Sequence, residues 1–150
     1  MGKRIVLDSS ILVEYRKGTK TDLLQAIAAS SAWIPCIGQV AVSEYLYYHL
    51  AIFSGKSPRS VQSAKEVNLI LGKGWPSSFL EQFEWLTDSP RLVKLSVEKM
   101  SQYQLLPNDA LILASCLVND ITHLASYDND FANACAGEGI SLIHEVRQLG

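Results

Sequence analysis

Arg4-Ile5-Val6-Leu7-Asp8-Ser9-Ser10-Ile11-Leu12 is the stretch from which the fold is read. Residues 4–7 form a short apolar run with no polar alternation, the pattern of a strand covered on both faces. The run stops at a carboxylate and two hydroxyls. Ser9 or Ser10 can cap a helix over residues 11–17, so Asp8 falls at the carboxyl end of a buried strand, where a helix begins. Outward from this unit the same alternation continues. A second helix is expected over 22–30, a strand over 32–37 with Pro35 near its end, and a largely buried helix over 39–53 that carries Glu44 in its early turns. Helices over 60–71 and 78–86 follow, separated by the Gly72-Lys73-Gly74-Trp75-Pro76 turn. Residues 91–95 alternate weakly as a strand. Helices are expected over 97–104 and 108–119, the second opened by Pro107, then a strand over 122–126, a short helix over 130–136 and a last strand over 139–143.

Strands that alternate with helices imply a mostly parallel sheet with helices on both faces. With no internal repeat, low-complexity tract or linker, residues 1–150 read as one domain. The chain is 48% hydrophobic and 19% charged, which excludes a disordered protein, and its formal net charge of -2 argues against a surface that binds polyanions all over. Cys36, Cys116 and Cys135 are odd in number, far apart and set among apolar residues, so they read as buried thiols and not as a disulfide framework or a zinc cluster. The amino-terminal apolar run meets Asp8 too early for a signal peptide or a membrane span, and a cytoplasmic location is expected.

In parallel sheets, ligands gather outside the carboxyl ends of the strands, at the change in strand order. Asp8 follows the first strand, Asp109 opens a helix, Asp128 and Asp130 follow the strand that ends near Ser126, and Glu44 sits in an otherwise apolar helix. Carboxylates gathered in one crevice repel by about 1 kcal/mol per pair at 4 Å even in water. A hard divalent cation such as Mg2+ or Mn2+ compensates directly, because it prefers carboxylates together with waters and substrate phosphates. No lysine or arginine lies beside these motifs to do the same, and no Cys-His or Ser-His spacing suggests a covalent nucleophile. Metal-assisted hydrolysis of a phosphodiester is the chemistry this set supports. Each acid taken alone also reads as a cap, a turn residue or a solvated side chain.

These residues resemble the PIN domains, and among them the VapC-like toxin ribonucleases. The resemblance is carried by Ile5-Val6-Leu7-Asp8-Ser9-Ser10-Ile11-Leu12, Val42-Ser43-Glu44-Tyr45, Asn108-Asp109-Ala110-Leu111-Ile112-Leu113-Ala114 and Ser126-Tyr127-Asp128-Asn129-Asp130-Phe131. It implies a three-layer α/β/α fold on a mostly parallel sheet of about five strands. It also implies a metal held by Asp8, Glu44 and Asp109, with Asp128 or Asp130 as the fourth acid and a hydroxyl from Ser9 or Ser10 nearby. Ser126 stands where the family often has threonine, which keeps the hydroxyl. The implied substrate is RNA, and the implied partners are a second copy of the chain and a cognate antitoxin protein. The region 55–90 is longer than in the smallest family members and its turn has no counterpart there.

Other features are open to more than one reading. Tyr45, Tyr47, Tyr48 and Phe53 crowd one helix and serve either a protein interface or the core. Lys3, Arg4, Arg16, Lys17 and Lys20 either guide a phosphate backbone or are ordinary solvated charges. Trp75 and Trp85 read as packing residues, and His49, His123 and His144 lack metal-ligand spacing. Two rival functions remain: a catalytically silent member of the fold that binds RNA or protein, and an aspartyl phosphotransfer enzyme using Asp8.

Overall fold

A computed structural model describes residues 2–150. The elements run β1 (Lys3–Leu7), α1 (Ser9–Lys17), α2 (Asp22–Ala29), β2 (Trp33–Ile37), α3 (Gln39–Ser54), α4 (Pro58–Ser63), α5 (Val67–Leu71), α6 (Pro76–Leu80) and β3 (Glu84–Trp85). They continue with α7 (Arg91–Tyr103), α8 (Pro107–Val118), β4 (His123–Ala125), a 3-10 turn (Asn129–Phe131), α9 (Ala132–Glu138), β5 (Ser141–Ile143) and a final 3-10 turn (Val146–Leu149). The five strands form one sheet in the order β3-β2-β1-β4-β5, and every pair is parallel.

The apolar run that opens the chain becomes the central strand because its side chains are needed on both faces. Ile5 and Leu7 join a core with Ile11, Leu12, Leu24, Ile27 and Tyr45 under α1, α2 and α3. Val6 points the other way, into a core with Leu113, Cys116, Leu124 and Phe131 under α8 and α9. The three-layer reading of the sequence is therefore the observed architecture. The three cysteines are buried and free, as expected.

Several elements differ from their sequence reading. The strand expected at 91–95 and the helix expected at 97–104 are one helix, α7. Its inward residues Leu92, Leu95, Ser96, Met100 and Tyr103 recur with helical spacing, whereas Val93 and Val97 are exposed, so the short alternation was coincidental. The helix expected at 78–86 ends at Leu80, and Glu84–Trp85 instead adds a two-residue edge strand to β2. A strand so short has no periodicity, and only pairing with Cys36 and Ile37 defines it. The helix expected at 60–71 is broken into α4 and α5 by Lys65, which takes a positive φ of 58°. Pro35 lies in the middle of β2, where β3 has not yet begun to pair, so the missing N–H is tolerated.

Trp75 and Trp85, read as packing residues, are more than half exposed. The turn around Trp75 is held instead by Gly74, whose carbonyl accepts from Arg16 Nη2 at 3.4 Å. A Cβ at Gly74 would meet the Phe53 ring at 2.7 Å, so only glycine allows this close approach.

Candidate metal centre

The strand order changes direction between β1 and β4, and the crevice outside their carboxyl ends is the expected ligand position in a parallel sheet. Asp8 leaves β1 there and caps α1. Its Oδ2 accepts from the Ser10 hydroxyl at 2.7 Å, from the Ser126 hydroxyl at 2.7 Å and from the Ser10 backbone N–H at 3.4 Å. Each hydroxyl also accepts a backbone N–H from the segment after β4. Tyr127 N donates to Ser10 Oγ and Asp128 N to Ser126 Oγ, both at 3.0 Å. One serine pair therefore locks Asp8 and the loop bearing Asp128 in a fixed relation. Asp8 is only 4% exposed, and among the described residues no side chain or backbone group binds its other oxygen, which stays available to a ligand.

Glu44 projects from α3 and is gripped at both oxygens, by Ser9 Oγ at 3.1 Å on Oε1 and by Asn108 Nδ2 at 3.2 Å on Oε2. These bonds tie α1, α3 and α8 together. Asp109 lies in the first turn of α8, which begins at Pro107 where a missing N–H matters least. Asp128 caps the 3-10 turn by accepting from Asp130 N at 2.9 Å. Asp109, Asp128 and Asp130 each bring a carboxylate oxygen within 4.8 Å of the others. Asp8, Glu44, Asp109 and Asp128 line one cleft of about 570 Å³, along which Asp8 and Glu44 extend the tighter cluster. Asp130 is exposed and shares with Asp109 a second groove of about 320 Å³, lined also by Gln104, Asn129 and Asn133.

The electrostatic consequence is largest at Asp109. Burial, and then the charges of Asp128, Asp8, Glu44 and Asp130, push its carboxyl up from 3.8 to about 6. Among the described residues no lysine or arginine forms an ion pair with any of these acids. The donors are all oxygens, and neither histidine nor cysteine lines the cleft, so the set suits a hard divalent cation and not zinc.

The basic residues of the first strand and helix are dispersed. Lys3 and Arg4 lie at the opposite end of β1, where Arg4 pairs with Glu84 at 3.0 Å. Arg16 is stacked on Phe53 and Phe79, with its guanidinium carbon 5.4 and 5.0 Å from the ring centroids, and Lys20 lies over Tyr127. Lys17 alone of the five lines the cleft, and it sits 3.6 Å from Glu14. The aromatic helix divides as well: Tyr45 and His49 are fully buried, whereas Tyr47 and Tyr48 are about half exposed. The aromatic crowding of this helix singled out Tyr48 without assigning it to the cleft, a position that emerges only when α3 packs beside α1. The grip of Asn108 on Glu44 has no sequence signal of its own and emerges only when α3 meets α8.

The chain is similar to known proteins in sequence and in fold. Ribonuclease VapC2 of Methanocaldococcus jannaschii is 28% identical over 130 residues, covering 85% of this chain and 87% of that protein. Ribonuclease VapC6 of the same organism is 28% identical over 142 residues, covering 85% and 90%. Among solved structures, a chain of a toxin-antitoxin complex from Klebsiella pneumoniae superposes with a TM-score of 0.63 at 19% identity, over 95% of this chain and 99% of that one. A chain of VapBC2 from Rickettsia felis, bound to a DNA fragment from its promoter, gives 0.60 at 16% identity, over 93% and 97%. The PIN domain profile matches residues 5–137, nearly the whole span that carries the sheet and the acids, and the chain belongs to the PIN domain family.

Proposed function

We propose that the protein is a metal-dependent endoribonuclease and the toxin of a toxin-antitoxin pair. The observation that carries this reading is the convergence of Asp8, Glu44, Asp109 and Asp128 on one cleft in which, among the described residues, no lysine or arginine forms an ion pair with them. The kinship with VapC ribonucleases supports RNA as substrate, and the toxin-antitoxin neighbours support a protein antitoxin as partner. A homodimer acting in the cytoplasm completes the proposal; no helix among the described residues is long and apolar enough to cross a membrane.

In this reading Asp8, Glu44, Asp109 and Asp128 hold Mg2+ or Mn2+, with Asp130 at the outer edge of the set. When bound, such an ion lowers the pKa of a water and offsets charge on the attacked phosphodiester. The chain's own contribution is orientation. Ser10 and Ser126 turn the free oxygen of Asp8 into the cleft, while Ser9 and Asn108 fix both oxygens of Glu44. Asp109 keeps its proton below about pH 6 and gives it up above, so its carboxylate is free for a ligand at neutral pH. Asp8 is an unfavourable phosphorylation site, because one of its oxygens is committed to two hydroxyls and, among the described residues, no lysine pairs with it.

The test is cleavage of a mixed RNA pool with Mg2+ or Mn2+, with and without EDTA, using wild type, Asp8→Asn and Asp109→Asn. Cleavage that requires the metal and is lost in both variants is expected. Equal cleavage by Asp109→Asn would sink the assigned roles, and an acid-labile phosphoryl group trapped on Asp8 would favour phosphotransfer.

A further inference from the structure

Beyond the acids, the cleft continues between α1 and α3, and its character changes. Val13, Ala51 and Ile52 form an apolar wall, and Tyr48 stands at its edge with 48% of its surface exposed. Tyr48 follows Glu44 by one helical turn on α3, about 6 Å along the axis, so the ring and the carboxylate face the same space. Among the described residues the only cation lining the cleft is Lys17, and Glu14 beside it offsets that charge. A phosphate group in this part of the cleft would find no net positive partner and several carboxylates nearby. A flat, neutral π-surface finds apolar walls and an aromatic face.

We propose that Tyr48 is a base-stacking residue and that this end of the cleft takes the nucleobase next to the scissile phosphate. The proposal rests on the hydrolase reading and adds to it a side chain that holds a base. A base reaches the Tyr48 ring only when it is unstacked and unpaired, so this part of the cleft acts on an unpaired nucleotide. Stacking on an aromatic side chain tolerates any base, so Tyr48 contributes affinity more than sequence preference. Tyr47, the neighbouring exposed tyrosine, does not line the cleft and has no such role.

Steady-state cleavage of one oligoribonucleotide, free and annealed to its complement, is measured for wild type, Tyr48→Phe, Tyr48→Ala and Tyr47→Ala. A parallel stopped-flow measurement follows quenching of 2-aminopurine placed at successive positions of the same oligonucleotide on mixing with each protein. The expected result is a KM raised about tenfold or more in Tyr48→Ala with kcat little changed, wild-type behaviour in Tyr48→Phe and Tyr47→Ala, and quenching at one position that Tyr48→Ala abolishes. The duplex is expected to be a poor substrate for every form. If wild type cuts RNA but Tyr48→Ala keeps the wild-type KM and quenching, the base site is overturned while the hydrolase reading stands, and the wall belongs to a protein partner. If wild type cuts nothing with any metal, the hydrolase reading falls and the quenching alone decides for or against the base site.

Discussion

At the scale of single residues, the centre depends on a few serine hydroxyls. Ser126 is 1% exposed, donates to Asp8 and accepts from Asp128 N, so one hydroxyl sets the positions of two acids. Removing it leaves a buried carboxylate with one fewer donor and the Asp128 loop without its anchor. Ser126→Ala is expected to fold, yet to lose about 10- to 100-fold in metal affinity or cleavage rate, the usual cost of deleting a partner that orients a ligand. Ser126→Thr, which keeps the hydroxyl, should recover most of that loss. A titration of cleavage rate against Mn2+ concentration reads both variants, and an unchanged Ser126→Ala curve would show that Asp8 needs no such orientation. Ser9 does the matching work for Glu44, so of the two neighbouring serines one serves each acid.

At the scale of elements, α7 shows how a local pattern can mislead. Val93 and Leu95 on either side of Lys94 look like part of an alternating strand until the inward residues Leu92, Leu95, Ser96 and Met100 are followed to Tyr103, where only a helix accounts for them. Position 93 discriminates the two structures. Val93 is 73% exposed on the helix, where valine is a poorer helix former than alanine. Val93→Ala should therefore stabilise the protein or leave it unchanged, by up to about 0.7 kcal/mol. The same change in a strand would destabilise it, because valine is preferred there. The urea midpoint at constant m-value reads the sign. The far end of α7 is tied to α9 through Glu138, which takes Lys99 Nζ at 2.5 Å and the Tyr103 hydroxyl at 2.8 Å. Glu138 is held below the usual carboxylate range mainly by the Lys99 contact, so the tie weakens only in acid. It braces the layer that carries α8 and Asp109.

For the whole molecule, the acids are a liability to the fold in the absence of a metal. The carboxyl of Asp109 titrates near 6 in the folded chain and near 3.8 when free, so between these values the folded state keeps a proton that the unfolded chain has lost. The stability this proton contributes is fully present below about pH 4 and is lost as pH rises to about 6. Thermal melts of metal-free wild type and Asp109→Asn should therefore diverge across this window, with the variant the more stable at pH 7. Added Mg2+ or Mn2+ should raise the wild-type melting temperature at pH 7 in a concentration-dependent way and leave Asp109→Asn nearly unmoved. Parallel melting curves for the two proteins from pH 4 to 7 would remove the charge-crowding account. As for legibility, the apolar run ending in Asp8, the caps and the acids at element ends were enough to define a parallel three-layer fold and to name the carboxylates, because each is a short-range pattern of polarity and spacing. The two-residue strand β3, the grip of Ser9 on Glu44 and the bond from Ser126 to Asp8 were settled only by tertiary packing. The physical reason is that those features depend on atoms brought together from distant parts of the chain, and no run of neighbouring residues encodes a contact whose partner lies some hundred positions away.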